Sequence, residues 1–247
     1  MTVLLLGGTA EARALAERLH PNVDIISSLA GRVPNPALPV GPVRIGGFGG
    51  VEGLRAWLVD NDITAVVDAT HPFAASITAN AASACAELGL PHLVLHRPPW
   101  DPAGATVVCS DTEAAEVVAD KGYSRVFLTT GRSGVAAFSG SDAWFLIRVV
   151  TAPDAAVLPA NHEVLLSRGP YRYEDECELL RSRGIEVLVT KNSGGALTEA
   201  KLDAARALGV DVVMIRRPTL PGGVPVVSSV QDAVAWVLRQ GNAGPVK

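Results

Sequence analysis

Four polar, glycine- or threonine-bearing clusters each stand at the end of an apolar run. Gly7-Gly8-Thr9 follows Val3-Leu4-Leu5-Leu6 and precedes a helical pattern marked by Leu15, Ala16 and Leu19. A buried strand that breaks at two glycines and restarts as a helix leaves N-terminal N–H groups free to bind phosphate. Gly7, Gly8 and Thr9 are therefore cofactor-binding candidates, although the full G-x-G-x-x-G pattern is absent and the same turn also occurs where nothing binds. Asp68-Ala69-Thr70-His71 closes another apolar run. His71 could exchange a proton near neutral pH, and Asp68 could do so in a desolvating environment. An Asp there also caps helices, and a loop His also bonds carbonyls. Lys191-Asn192-Ser193-Gly194-Gly195 and Thr130-Gly131-Arg132 supply cations, an amide and glycines that permit close backbone approach. They suit an anionic or carbonyl-bearing ligand, and each is equally an ordinary turn.

The elements that must position these clusters are apolar runs near residues 2–6, 23–27, 43–46, 64–68 and 92–96, then 125–129, 144–150, 163–167, 185–190 and 211–215. Apolar strands alternating with helical patterns predict α/β architecture with parallel sheets covered on both faces. The two series superpose with a shift of about 122 residues, a period that points to two domains. His96-Arg97-Pro98-Pro99 with Val107-Val108-Cys109-Ser110 falls on Arg216-Arg217-Pro218-Thr219 with Val226-Val227-Ser228-Ser229. The expectation is two Rossmann-like lobes, residues 1–100 and 101–247, with a cleft between them. Their boundary lies in the Pro- and Gly-bearing stretch near Pro99 to Gly104, and a strand at 105–109 could join either sheet.

In such sheets ligands bind beyond the carboxyl ends of the strands. The second strand ends Ile25-Ile26-Ser27-Ser28, with Arg32 shortly after and no acidic residue to take a ribose 2′-hydroxyl. If a dinucleotide binds this lobe, Ser28 and Arg32 favour NADPH over NADH. The strand-end arginines of the second half, Arg132, Arg148, Arg168 and Arg216, are candidates for binding carboxylates bidentately.

Composition narrows the classes. The chain has 247 residues, 48% hydrophobic and 19% charged, enough for one large core or two small ones. No stretch approaches the roughly 20 apolar residues of a membrane span and no basic leader precedes the first strand, so a cytoplasmic location is expected. A net charge of −4 without a basic stripe argues against nucleic acid. Cys85, Cys109 and Cys177 have no metal-ligand spacing, and no metal is expected. The P-loop pattern and the G-x-S-x-G elbow are absent. Four residues after Tyr123, Tyr171 and Tyr173 stand Phe127, Asp175 and Cys177, so the Tyr-x-x-x-Lys pair of short-chain dehydrogenases is absent too.

Taken together, Gly7-Gly8-Thr9-Ala10-Glu11-Ala12-Arg13, Asp68-Ala69-Thr70-His71-Pro72-Phe73-Ala74, Arg97-Pro98-Pro99-Trp100, Thr129-Thr130-Gly131-Arg132 and Thr190-Lys191-Asn192-Ser193-Gly194 resemble the precorrin-6A reductases of cobalamin biosynthesis, in order and over essentially the whole chain. The resemblance implies two Rossmann-like domains and hydride transfer from NADPH to one double bond of the precorrin-6A macrocycle, giving precorrin-6B. It implies that Gly7, Gly8, Thr9, Ser28, Arg32 and Thr70 hold the cofactor, with Asp68 and His71 near the nicotinamide and, together with Lys191, as the catalytic candidates. Lys191, Arg132, Arg148, Arg168, Asn192, Ser193 and Arg216 would orient a ring rich in acetate and propionate groups. The rival readings are the cobalt-bearing substrate of the anaerobic branch and a two-lobed NADP- or metabolite-binding module without catalysis.

Overall fold

The computed structural model describes residues 1–31 and 37–242, Asn242 through its backbone alone. Arg32 lies outside the described residues. The elements run β1 (Thr2–Leu6), α1 (Ala10–Leu19), β2 (Asp24–Leu29), β3 (Val43–Ile45), α2 (Gly50–Asp60), β4 (Ile63–Asp68), α3 (Ala75–Leu88), β5 (His92–Leu95), β6 (Thr106–Val108) and α4 (Asp111–Asp120). They continue with β7 (Arg125–Thr129), a 3-10 turn at Arg132–Phe138, β8 (Trp144–Val149), β9 (Asn161–Leu166), α5 (Tyr173–Ser182), β10 (Val187–Lys191), α6 (Ala200–Leu208), β11 (Asp211–Ile215), β12 (Val226–Val227) and α7 (Val230–Asn242).

Two six-stranded sheets result, ordered β12-β5-β4-β1-β2-β3 and β6-β11-β10-β7-β8-β9, and every pairing in both is parallel. The α/β expectation with two parallel sheets holds. The reason is visible in β1: Val3 and Leu5 meet Leu15, Ala16 and Leu19 of α1, while Leu4 and Leu6 meet Leu54 and Leu58 of α2 and Ala81 and Ala84 of α3. A strand covered on both faces favours apolar side chains at successive positions, as from Val3 to Leu6. In the second sheet Phe127, Leu146, Leu188 and Met214 pack with Leu180 of α5 and Leu202 and Ala205 of α6.

The chain divides into Met1–Pro98 with the segment from Pro218 onward, and Pro99–Arg217. This corrects the expected contiguous lobe 101–247. The strand left open at 105–109 is β6, which pairs with β11 in the second unit, Val213↔Thr106 to Ile215↔Val108. Its counterpart β12 returns to the first unit and pairs with β5, Val226↔Val94 and Val227↔Leu95. Beside it, α7 buries Ala233 and Val237 in the core that α1 covers. The two closing segments are chemically interchangeable, which is why the repeat is legible and its exchange is not. Each is a short Val-rich strand followed by a serine-capped helix: Ser110 Oγ accepts from Glu113 N (3.0 Å) and Ser229 Oγ from Asp232 N (3.1 Å).

Among the described residues no helix is long and apolar enough to cross a membrane.

Candidate active site

In the first unit the sheet order reverses direction between β1 and β4, the place where doubly wound sheets bind ligands. Gly7 N donates to Ser28 O (2.9 Å), which ties the end of β1 to the end of β2. Gly8 has φ +108°, a conformation that favours glycine, and a side chain there would meet nothing within 4 Å. The backbone at Gly8 is therefore open to close approach. Thr9 is the N-cap of α1: its hydroxyl accepts from Ala12 N (3.1 Å) and donates to Ala69 O (2.7 Å). With the hydroxyl so committed, Thr9 locks the β1 and β4 loops together instead of donating to a ligand, a correction to its expected role. The amides of Ala10 and Glu11 have no intrahelical acceptor and are the donors this turn leaves open to an anion.

Asp68, only 2% exposed, accepts from Thr70 N (2.9 Å) and Thr70 Oγ1 (2.6 Å) at one oxygen and from Thr78 Oγ1 (2.6 Å) at the other. A carboxylate enclosed by three donors shapes the loop, and these bonds give Asp68 a positioning role where a catalytic contact was expected. Thr70, half-buried, is fixed by that carboxylate, and His71 is exposed two residues past β4's last neighbour, Ala69, with Nδ1 accepting from Phe73 N (3.3 Å).

Ser28, 6% exposed, lies opposite Arg44 of β3 in the strand register. Arg44 donates through Nη1 to Ser28 Oγ (2.9 Å) and Gly46 O (2.9 Å), and through Nη2 to Gly47 O (3.0 Å). Its guanidinium lies 3.8 Å from the Phe48 ring centre and 5.5 Å from that of Trp57. Arg44 is absent from the sequence-derived candidates because it falls inside the apolar run near 43–46. The signal available was a cation interrupting that run one strand away from the two serines.

In the second unit Lys191 Nζ donates to Thr130 O (3.0 Å) and lies 3.3 Å from Asp111 Oδ2, joining the ends of β10 and β7 to the first turn of α4. Thr130 Oγ1 and Asp111 Oδ1 are buried against Gly134, where any side chain would collide with both. Lys191 and the Thr130-Gly131-Arg132 turn are thus brought together, with Arg132, Arg168 and Arg216 exposed. Asn192 is buried and binds the Trp100 backbone at both ends, Oδ1 accepting from N (2.8 Å) and Nδ2 donating to O (3.0 Å). These bonds give it the part of anchoring Trp100. The Asn192 and Ser193 carbonyls accept from Arg217 Nε (2.8 Å) and Nη2 (3.0 Å).

Arg148 is also corrected. It is 7% exposed and forms a bidentate pair with Glu176, 2% exposed (Nη1–Oε2 3.0 Å, Nη2–Oε1 2.6 Å), between the rings of Phe127 and Tyr171. It is committed to Glu176 of α5, so both faces of its fork are taken by the protein itself.

Beside that pair lies Lys201, buried, donating to Thr198 O (2.7 Å) with its ammonium 4.3 Å from the Trp100 ring centre. Burial and then the Arg148 charge push its pKa down to about 7 from the ordinary 10.5, against the opposing pull of Glu176 and Glu199. The unfolded chain holds this proton up to about pH 10.5 and the folded one releases it near pH 7, so stability rises with pH between those values and is flat below them. Urea unfolding at about pH 7 and about pH 9.5 should show this gain in the native protein and its loss in Lys201→Met. An equal slope in both would exclude Lys201 as the source.

The family model described as "Precorrin-6x reductase CbiJ/CobK" matches residues 2–238. The chain belongs to this family. It is 72% identical over 235 residues to the precorrin-6A reductase of Mycobacterium tuberculosis (strain ATCC 25618 / H37Rv), covering 95% of this chain and 96% of that one. Over 244 residues it is 54% identical to the precorrin-6A reductase of Rhodococcus erythropolis, with 95% and 96% covered. It is 30% identical to the cobalt-precorrin-6A reductase of Priestia megaterium, with 96% and 98% covered. A solved structure of CobK precorrin-6A reductase superposes with a TM-score of 0.88 at 38% identity, covering 98% of this chain and 97% of that one. As a member of this family the chain is an oxidoreductase acting on a CH–CH group.

Proposed function

We propose that this chain reduces one double bond of metal-free precorrin-6A with NADPH, giving precorrin-6B. The observation that carries the reading is the β1–β4 switch point, where an open Gly8 turn faces the carboxyl end of the second strand, with Ser28 one residue before that end, Arg44 beside it and, among the described residues, no carboxylate paired with that arginine. Support for the substrate comes from 72% identity to proteins named for precorrin-6A, against 30% for one named for the cobalt form. When bound, the nicotinamide supplies a hydride to one carbon of the double bond, and the other carbon takes a proton.

The residues of the chain bind and orient. The Gly8 backbone and the amides of Ala10 and Glu11 would hold the pyrophosphate, with Gly7 setting the turn. Thr9 and Asp68 fix the two loops that flank the reacting group, presenting Thr70 and His71 on the second of them. His71 is the exposed proton-exchanging side chain of that loop, with solvent as its alternative. In the second unit, Arg132, Arg168 and Arg216, with Ser193 and the Lys191 loop behind them, would receive the acetate and propionate groups.

The test is NADPH oxidation by the purified protein with metal-free precorrin-6A, beside NADH and no-substrate controls. Substrate-dependent loss of NADPH absorbance with a matching change in the macrocycle spectrum is expected, at a rate at least about tenfold above NADH. Turnover only with the cobalt-bearing substrate would transfer the assignment to that reaction, and NADPH binding without turnover of either would leave a binding module.

A further inference from the structure

We infer that Arg44, together with the Ser28 hydroxyl, is the element that distinguishes NADPH from NADH by taking the monoester phosphate on the adenosine ribose. The inference rests on the proposal that a dinucleotide binds the first unit. In that class of sheet the end of the second strand faces the ribose, and a carboxylate there selects the free 2′-hydroxyl. Here the position is Ser28, and the strand register sets Arg44 directly alongside it.

Three features separate Arg44 from a latch that merely closes a loop. Among the described residues it forms no ion pair with a carboxylate, so its charge is uncompensated where it stands. Burial alone pulls its pKa down, a cost that an anion at the guanidinium would offset. Second, the Gly46 and Gly47 carbonyls and the Phe48 ring hold the guanidinium in one orientation, so little side-chain freedom remains to be lost on binding. Those contacts use three N–H groups, leaving Nε–H and one Nη2–H for phosphate oxygens. Third, Ser28 Oγ accepts from Arg44, which leaves its own proton to donate. Two fixed donors and a full positive charge match a phosphate monoester and give a ribose hydroxyl nothing comparable.

The experiment is calorimetric titration of the full chain and Arg44→Met with NADPH, NADH, 2′,5′-ADP and 5′-AMP, the last two differing only in the phosphate at issue. In the native protein 2′,5′-ADP should bind about 100-fold more tightly than 5′-AMP. Arg44→Met should lose about 100-fold for NADPH and 2′,5′-ADP while NADH and 5′-AMP stay within about threefold. Arg44→Lys, which keeps the charge without the fork, should fall between and guards against a misfolded Met variant. Equal weakening of all four ligands would mean a loop latch and would overturn the inference. Preference for the phosphorylated ligands that survives in Arg44→Met would overturn it while leaving the NADPH reading intact. Failure of the native protein to prefer 2′,5′-ADP would overturn both.

Discussion

Glu176→Ala is expected to lower the unfolding free energy by about 3–5 kcal/mol, because it strands a buried guanidinium. Arg148 comes off β8 into a space walled by Phe127 and Tyr171, and Glu176 from α5 supplies both of the carboxylate oxygens that answer it. The third guanidinium nitrogen, Nε, has no hydrogen-bond partner, so the pair is complete on one edge only and has no reserve. Removing Glu176 would also leave Arg148 facing Lys201, whose proton is already weakly held through burial and then the Arg148 charge. Replacing both partners with apolar residues, Arg148→Met with Glu176→Leu, should come back to within about 1 kcal/mol of the native protein. Urea unfolding followed by far-UV circular dichroism measures both. A single-variant loss below about 1 kcal/mol would show that Arg148 reaches water by an alternative rotamer.

Asp68→Asn should reduce turnover of precorrin-6A by about 100-fold while NADPH affinity changes by less than about threefold. The amide accepts at one atom where the carboxylate accepts at both, so the hydroxyl facing its nitrogen must reverse to accept, and the Thr70 N–H loses its acceptor if the nitrogen lies on that side. The loop carrying His71 would then lose its fixed geometry without any change at the Gly8 turn. Steady-state kinetics beside equilibrium titration separates the two effects. Equal losses in turnover and affinity would place Asp68 in the framework of the whole unit, and unchanged turnover would remove the β4 loop from the reaction.

How much of this was legible in the chain depends on the distance over which each feature is decided. The Gly7-Gly8 turn and the strands around it are written locally: an apolar run long enough to be buried on both faces, then glycines, then helical spacing. The Asp68 to His71 loop is similarly legible as a place, yet its inner arrangement depends on Thr78, ten residues away across the start of α3. Arg148 and Asn192 stand at or just past strand ends, which is where ligand contacts belong. Their partners are Glu176, 28 residues distant, and the Trp100 backbone, 92 residues distant, and no spacing rule connects either pair. Arg44 was hidden by the opposite circumstance: a three-residue strand is too short for alternation to mark one position as different from the next. The exchanged strands β6 and β12 escaped because pairing is a choice between partners, and Val-Val offers the same edge to either sheet.

That exchange also dictates an order of assembly during synthesis. The segment Pro99–Arg217 holds every strand of its sheet by the time Arg217 leaves the ribosome, whereas the unit that begins at Met1 is still missing β12 and α7. Until they arrive, β5 presents an open hydrogen-bonding edge, and the core positions of Ala233 and Val237 stand empty beneath α1. The part of the protein made first is therefore completed last, reversing the usual amino-to-carboxyl sequence of domain folding. At roughly 5–20 residues per second that interval is a matter of seconds, during which the nascent chain is exposed to strand-to-strand aggregation. A message truncated just after the Arg217 codon would make that vulnerable state permanent.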